Sequence, residues 1–171
     1  YNSPDPAVRQ RARLQDFKLQ MQQMQALPAG SPEREKEMGR LREELVAMSQ
    51  YEWDVSGLLD LAEVANTVGA RKLRADLYLR IAKTDNKVAR TWVDDAAQKA
   101  LADGEYATAA DIYFAAQSRA TAVEDQRHYF ISAVRAYQAG NMPREALLAA
   151  EKHAGSLISD DEMLHFMIEI A

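Results

Sequence analysis

From residue 54 onward the sequence repeats itself with a period of about 35 residues, and this period constrains the fold more than any other feature. Three glycines, Gly69, Gly104 and Gly140, lie 35 and 36 residues apart. Each follows a stretch with small or apolar residues at i, i+3, i+4 and i+7, the spacing of one face of an α-helix. A second helical stretch begins after each glycine. One pair of such helices cannot bury its apolar face alone, so the sequence predicts an all-α stack of antiparallel helix pairs.

Small side chains recur at the repeating offsets. Alanine occupies 30 of the 171 positions, which predicts close packing within each helix pair. The glycine after each first helix is expected to supply the left-handed residue that ends it. The predicted buried positions are Leu58, Leu61, Ala62 and Ala65; Val93, Ala96, Ala97 and Ala100; Tyr129, Ser132, Ala133 and Ala136 in the first helices, and Ala75, Leu79, Ala109, Tyr113, Ala146 and Ala150 in the second.

A separate helical hairpin is predicted in residues 1–52. Two stripes of apolar residues with 3-4-3 spacing flank residues 27–32, where proline and glycine cluster and where Ser31 has the features of a helix N-cap. The stripes are Leu14, Phe17, Met21 and Met24, then Met38, Leu41, Leu45 and Met48. The Glu37–Arg40 and Arg40–Glu44 spacings predict ion pairs on the outer face of the second helix.

The middle repeat resembles the tetratricopeptide repeat (TPR) family. Residues 103–109, Asp-Gly-Glu-Tyr-Ala-Thr-Ala, are similar to the turn motif of that family, and Tyr113 and Ala116 fall where the motif places a large and then a small residue. Trp92 lies one position before the usual tryptophan, and the other two repeats depart further from the pattern. The resemblance covers residues 54–155 and implies a superhelical solenoid of antiparallel helix pairs.

The resemblance and the period together divide the chain into five segments. Residues 1–52 form a degenerate repeat or cap. Residues 53–88, 89–122 and 123–158 are one repeat each. Residues 159–171 are predicted to begin a further, truncated repeat, because residues 159–162 have the spacing of a capping box. Met163, Phe166, Met167 and Ile170 would form the apolar side of its helix.

A narrower resemblance is to the export proteins of the Pel biofilm polysaccharide, the PelB family. It is carried by Trp92, residues 103–107, 113–117 and 127–130, and residues 139–141. In that family a periplasmic repeat region precedes an outer-membrane barrel and holds the polysaccharide deacetylase/hydrolase PelA near the exit pore. The resemblance therefore implies a periplasmic location, a role in exopolysaccharide export and a protein partner of this kind.

Charge and composition exclude several classes of function. The net charge is −5, and residues 51–171 hold 13 basic and 19 acidic side chains. Generic binding to nucleic acid or to an anionic membrane is therefore not expected. The absence of cysteine excludes disulfides and thiolate metal sites. No stretch approaches the roughly 20 apolar residues of a membrane-spanning helix. The chain begins at Tyr1 rather than Met and is interpreted as a piece of a longer protein.

Few residues suggest chemistry. His128, His153 and His165 lie 25 and 12 residues apart, which does not place two of them on one helical face, so no metal site is predicted. Asp94-Asp95 and Asp160-Asp161 are adjacent, and neighbours on a helix point about 100° apart rather than converging. No enzyme activity and no cofactor are predicted.

A groove lined by the first helices is the predicted binding surface. Counting each glycine as the fifteenth position of a family repeat places four residues of each first helix in it. This mixed polar and apolar set suits a peptide or helix of a partner protein. The first helix of the third repeat has an alternative orientation, rotated by one position. In that orientation Phe130, Val134 and Tyr137 lie in the core and Tyr129 faces outward. The predicted groove residues are Ser56, Leu59, Glu63, Asn66, Thr91, Asp94, Gln98, Leu101, Arg127, Phe130, Val134 and Tyr137.

Other partners and functions stay open at this point. By the resemblance, the exported polymer carries cationic amino sugars, and contact with Glu63 and Asp94 is a further hypothesis. Two alternative functions are the helical superstructure of a periplasmic cell-wall enzyme and a cytoplasmic adaptor that binds a partner peptide.

Overall fold

The computed structural model describes residues 5–85 and 88–155, together with Ser159, Asp161, His165 and Ile168. Within these residues the chain forms eight α-helices and no strand, which confirms the predicted all-α class. The helices are α1 (Pro6–Ala26), α2 (Pro32–Ser49), α3 (Val55–Thr67), α4 (Arg71–Thr84), α5 (Arg90–Ala102), α6 (Tyr106–Gln117), α7 (Val123–Ala139) and α8 (Pro143–His153).

The chain divides into two compact units. The first unit spans Tyr1–Leu77 and the second Tyr78–Ala171, so the boundary falls within α4. In the described part of either unit, no helix is both long enough and apolar enough to cross a membrane. The predicted helix after residue 158 lies mostly outside the described residues, as do Asp160, Glu162 and all four of its predicted apolar residues.

In the first unit, α1 and α2 form the predicted hairpin. Ser31 caps α2 by accepting a hydrogen bond at Oγ from the Arg34 backbone N–H at 3.2 Å. Arg34 also donates to the carbonyl of Leu27 at 3.2 Å, across the turn. Arg40 pairs with Glu37 and Glu44 as predicted. Six of the eight predicted stripe residues are buried, and Met21 and Met38 are half-buried.

Helix α3 packs beside this hairpin in the first unit. Its N-cap residue, Asp54, accepts a hydrogen bond from the Gly57 backbone N–H at 2.7 Å. The indole of Trp53 donates to the Met48 carbonyl at 2.9 Å and so fixes the entry of the chain into α3. Lys18 of α1 pairs with Asp60 of α3 at 3.1 Å.

The turns inside the three repeats have the same geometry. Residues 68–70, 103–105 and 140–142 connect the helices, and the middle residue of each turn has a positive φ: Gly69 at 69°, Gly104 at 80° and Asn141 at 55°. The next residue donates a hydrogen bond to the carbonyl five positions earlier, at 2.8, 2.9 and 3.0 Å. This is the Schellman pattern of helix termination.

One prediction about these turns is wrong. Gly140 is not left-handed, since its φ is −81°, and Asn141 takes that role instead. Asparagine tolerates the left-handed region better than most residues. Glycine is needed at position 140 for a different reason. A Cβ there would lie 2.7 Å from both Cβ and Cγ of Tyr106. A close approach of two helix termini, rather than a backbone angle, therefore requires this glycine.

Small side chains build much of the core of the second unit. The alanines predicted from the repeat are buried in α5, α6, α7 and α8, as are Val93, Tyr113 and Tyr129. Ser132 is half-buried, and so is Leu79 of α4. Phe130 and Ile112 are the largest side chains with no solvent exposure in this unit. The predicted apolar faces are thus confirmed except at Ser132 and Leu79, and α7 buries a wider arc than the repeat pattern predicts.

Candidate partner-binding surface

A row of outward-facing residues runs along the first helix of each repeat. Its members lie 13, 10, 6 and 3 residues before the left-handed residue of the turn. In α3 they are all exposed, and Leu59 keeps 41% of its surface in solvent. In α5 two members are exposed and two are half-buried. These two rows are the predicted groove residues Ser56, Leu59, Glu63 and Asn66, then Thr91, Asp94, Gln98 and Leu101.

The prediction for α7 is wrong by one residue. Phe130 and Val134 are both completely buried, and Tyr137 is half-buried, so these residues do not form an open row. Arg127 is exposed but lies beside the row. The alternative register is also wrong in part, because Tyr129 is only 5% exposed. The residues that face outward or remain half-buried at the 3-4-3 spacing are His128, Ile131, Arg135 and Gln138.

The turn explains this one-residue displacement. The prediction counted back from Gly140, whereas the left-handed residue is Asn141. Counting 13, 10, 6 and 3 positions back from Asn141 gives the row of α7 without further adjustment. The left-handed residue ends the helix at a fixed point and therefore sets which side chains face away from the core.

His128 of α7 and Asp94 of α5 join two of the rows in the second unit. The Nε2 atom of His128 lies 2.8 Å from Oδ1 of Asp94, and both side chains are about one-third exposed. Arg90 lies on the same side, with Nε 4.0 Å from Asp94 and Nη1 3.3 Å from Oδ1 of Asp125. These four side chains form a polar bridge between α5 and α7 that is open to solvent.

Aromatic rings lie beneath this polar bridge. The ring of Tyr113 meets the ring of His128 edge-on, with centroids 6.4 Å apart, and Tyr129 lies 5.5 Å from His128. Burial raises the pKa of the Tyr113 hydroxyl; the Gln98 side chain opposes this rise and Asp94 adds to it. Tyr113 therefore stays neutral and supports the imidazole of His128 from the core side.

The sequence holds a signal for this bridge that residue-by-residue reasoning missed. Asp94 and His128 are 34 residues apart, and Arg90 and Asp125 are 35 apart. Both separations are close to one repeat length, so each pair joins the first helices of neighbouring repeats. A search for complementary polar side chains about 35 residues apart would have found both pairs.

The adjacent carboxylates Asp94 and Asp95 of α5 do not converge on one site. Asp94 pairs with His128, whereas Asp95 pairs with Lys99 at 2.6 Å. These adjacent carboxylates thus have different partners, as predicted from their spacing. Within the described part of the chain, no three histidine, aspartate or glutamate side chains lie close enough together to hold a metal ion.

Comparisons of the chain with protein-family models, with curated proteins and with solved structures found no match.

Proposed function

We propose that the chain is a non-catalytic scaffold that binds a protein partner through the outward rows of its first helices. The observation that carries this proposal is the separation of roles along each helix. Positions between the row members are buried among small side chains and hold the helices together. The row members lie outside that core, and seven of the twelve are exposed, so a partner could reach them.

The composition of the rows supports a protein partner rather than a highly charged polymer. Leu59 shares the row of α3 with Glu63, and Ile131 shares the row of α7 with Arg135, so apolar side chains alternate with charges of both signs. Interfaces that bind peptides or helices combine apolar contacts with a polar rim. A polyelectrolyte would instead favour a surface of one sign of charge.

The repeated turn and the TPR-like sequence of residues 103–109 support a solenoid of the tetratricopeptide type as the finer description of the fold. The narrower resemblance to the PelB family extends the proposal to a cellular role. In this role the chain is part of the periplasmic repeat region of a Pel exopolysaccharide export protein. It recruits the deacetylase/hydrolase PelA and guides polymer towards the outer-membrane pore during biofilm formation.

Binding of purified PelA to the whole chain, measured by biolayer interferometry, tests this proposal. Two variants, Leu59→Arg and Gln98→Arg, place a bulky cation in the rows of α3 and α5. The matched control is Leu148→Arg on the second helix α8, where the leucine is 56% exposed. We expect each row variant to weaken binding about tenfold or more and the control to change it less than about twofold.

Two outcomes would contradict the proposal. PelA that does not bind the chain would refute the partner and the cellular role. Equal loss of binding in all three variants would show that the contact does not use the outward rows. Circular dichroism of each variant checks that the helices are intact, which is expected because the substituted side chains lie at the surface.

A further inference from the structure

A second cluster of charged residues lies where α4, α6 and α8 end, on different helices from the outward rows. Lys83 belongs to the last turn of α4, Arg119 follows the end of α6, and Lys152 and His153 belong to the last turn of α8. These residues line an open cavity of about 440 Å³ together with Asp111 and Phe114 of α6. All of them belong to the second unit.

The cluster is positive in a chain that is negative overall. Lys83, Arg119 and Lys152 carry three positive charges against the single carboxylate of Asp111, whereas the whole chain has a net charge of −5. Among the ion pairs of the described residues, none involves these three cations. Among the residues that line this cavity, the positive charges therefore exceed the carboxylates by two.

Helix dipoles explain only part of this arrangement. The carbonyl groups at the end of a helix favour a cation in its last turn. This explains why Lys83 lies in the last turn of α4 and Lys152 in that of α8, but not why the two lie at one cavity. The packing of the helices then brings the cations of three helix ends to one cavity. The electrostatic influence of Lys83, Lys152 and His153 on Asp111 shows that α4 and α8 both act on the same residue of α6.

The floor of the cavity is aromatic. The rings of Phe114 and His153 stack with centroids 4.1 Å apart and planes 20° from parallel. Burial, and next the charge of Lys152, lower the pKa of His153, and the charge of Asp111 opposes this. The cavity thus combines two stacked aromatic rings with exposed cationic side chains.

We propose that this cluster binds an acidic segment of a partner protein, with two or more neighbouring glutamate or aspartate residues. The methylene groups of glutamate side chains would pack on Phe114 and His153 while their carboxylates meet Lys83, Arg119 and Lys152. Such a segment has the complementary charge and the extended shape that cations from three helices require.

A phosphate group fits this cavity less well. Tight phosphate sites use several backbone N–H groups at a helix N-terminus, and none of the residues that line this cavity lies at a helix N-terminus. Nucleic acid is also disfavoured, because the negative charge of the rest of the chain would repel its backbone.

Fluorescence anisotropy of a labelled glutamate-rich peptide with the whole chain tests this inference. The site variant is the double substitution Lys83→Glu with Lys152→Glu. The matched control is Lys36→Glu with Lys72→Glu, which makes the same change in net charge at exposed positions outside the cavity. We expect the site variant to lose about tenfold or more in affinity, and the control less than about threefold. Far-ultraviolet circular dichroism verifies that both variants fold.

Inorganic phosphate is the competitor that separates the two kinds of anion. We expect phosphate to displace the peptide no better than sodium chloride of equal ionic strength. Displacement by phosphate at much lower concentration would overturn the inference in favour of a phosphate ligand. A peptide that does not bind the parent chain, or that binds both variants equally, would also overturn it. Neither result depends on PelA, so the proposed function is tested separately.

Discussion

Gly140 allows a quantitative test of how closely α6 and the end of α7 approach. An alanine Cβ at this position would lie 2.7 Å from Cβ and Cγ of Tyr106 and 2.9 Å from its Cδ2. Carbon atoms pack favourably at about 3.5–4.0 Å, so the contact is short by roughly 0.8 Å. Because Cβ is attached directly to the backbone of α6, rotation of the Tyr106 side chain cannot relieve the whole clash. We expect Gly140→Ala to lower the free energy of unfolding by about 1–3 kcal/mol.

Two other glycines separate this steric effect from effects of the backbone. Gly104 has a φ of 80° and open space around it, so Gly104→Ala is expected to cost about 1–2 kcal/mol through backbone strain alone. Gly39 lies inside α2 with no neighbour within 4 Å of an added Cβ. Gly39→Ala should therefore stabilise the protein by up to about 1 kcal/mol through helix propensity.

Urea unfolding followed by circular dichroism measures all three variants. The free energies are compared at constant slope against urea, since a changed slope would report a changed unfolding reaction rather than a changed stability. If Gly140→Ala unfolds at the same urea concentration as the parent, then position 140 does not lie as close to Tyr106 as the structure shows. If it is stabilised to the same degree as Gly39→Ala, then Gly140 is an ordinary helical glycine, which would refute the reasoning.

Two further predictions concern the first unit. Asp54→Ala removes the N-cap of α3 and should cost about 1 kcal/mol near neutral pH. The hydrogen bond from the Gly57 backbone N–H is the main reason that the pKa of Asp54 is lowered. The ionised Asp54 therefore adds its full stabilisation of the fold above the ordinary pKa of the carboxyl. This stabilisation is lost as the pH falls through the lowered pKa. Urea unfolding at several pH values should therefore show the variant and the parent converging in acid, and a constant difference would contradict this assignment. Phe17→Ala removes a completely buried side chain of α1 and should lower the free energy of unfolding by about 3–5 kcal/mol. Leu19 is 56% exposed, so Leu19→Ala should change the thermal midpoint of unfolding little. Equal changes of the midpoint in the two variants would contradict the packing of α1.

The periodicity of the sequence was sufficient to predict most of the core. A helix turns by 3.6 residues, so small and apolar residues at i, i+3, i+4 and i+7 share one face. In α3 and α5 all eight predicted positions are buried. The hairpin of α1 and α2 was equally predictable, because proline and glycine separate its two stripes and Ser31 marks the start of α2.

Helix α7 was not predictable in the same way, because two registers fit its sequence. Tyr129 and Phe130 are adjacent, as are Ala133 and Val134, and all four are buried. An apolar arc this wide does not reveal which edge faces solvent. The deciding feature is the conformation of Asn141, and sequence reasoning assigned that conformation to Gly140 because glycine adopts it most often.

The left-handed residue also separates two sets of positions in each first helix, those in the core and the outward ones that we propose bind a partner. Once that residue fixes the end of the first helix, the positions that face the core and those that face outward follow by counting. At the core positions alanine recurs from repeat to repeat. At each of the four outward positions, α3, α5 and α7 carry three different residue types; the first position, for example, holds Ser56, Thr91 and His128. A contact needed by every repeat to hold the stack together would favour similar residues at each position. The diversity of the outward rows is therefore consistent with the proposed role in binding a partner. Within the second unit, the 2.8 Å contact between Asp94 and His128 fixes the rows of α5 and α7 relative to each other.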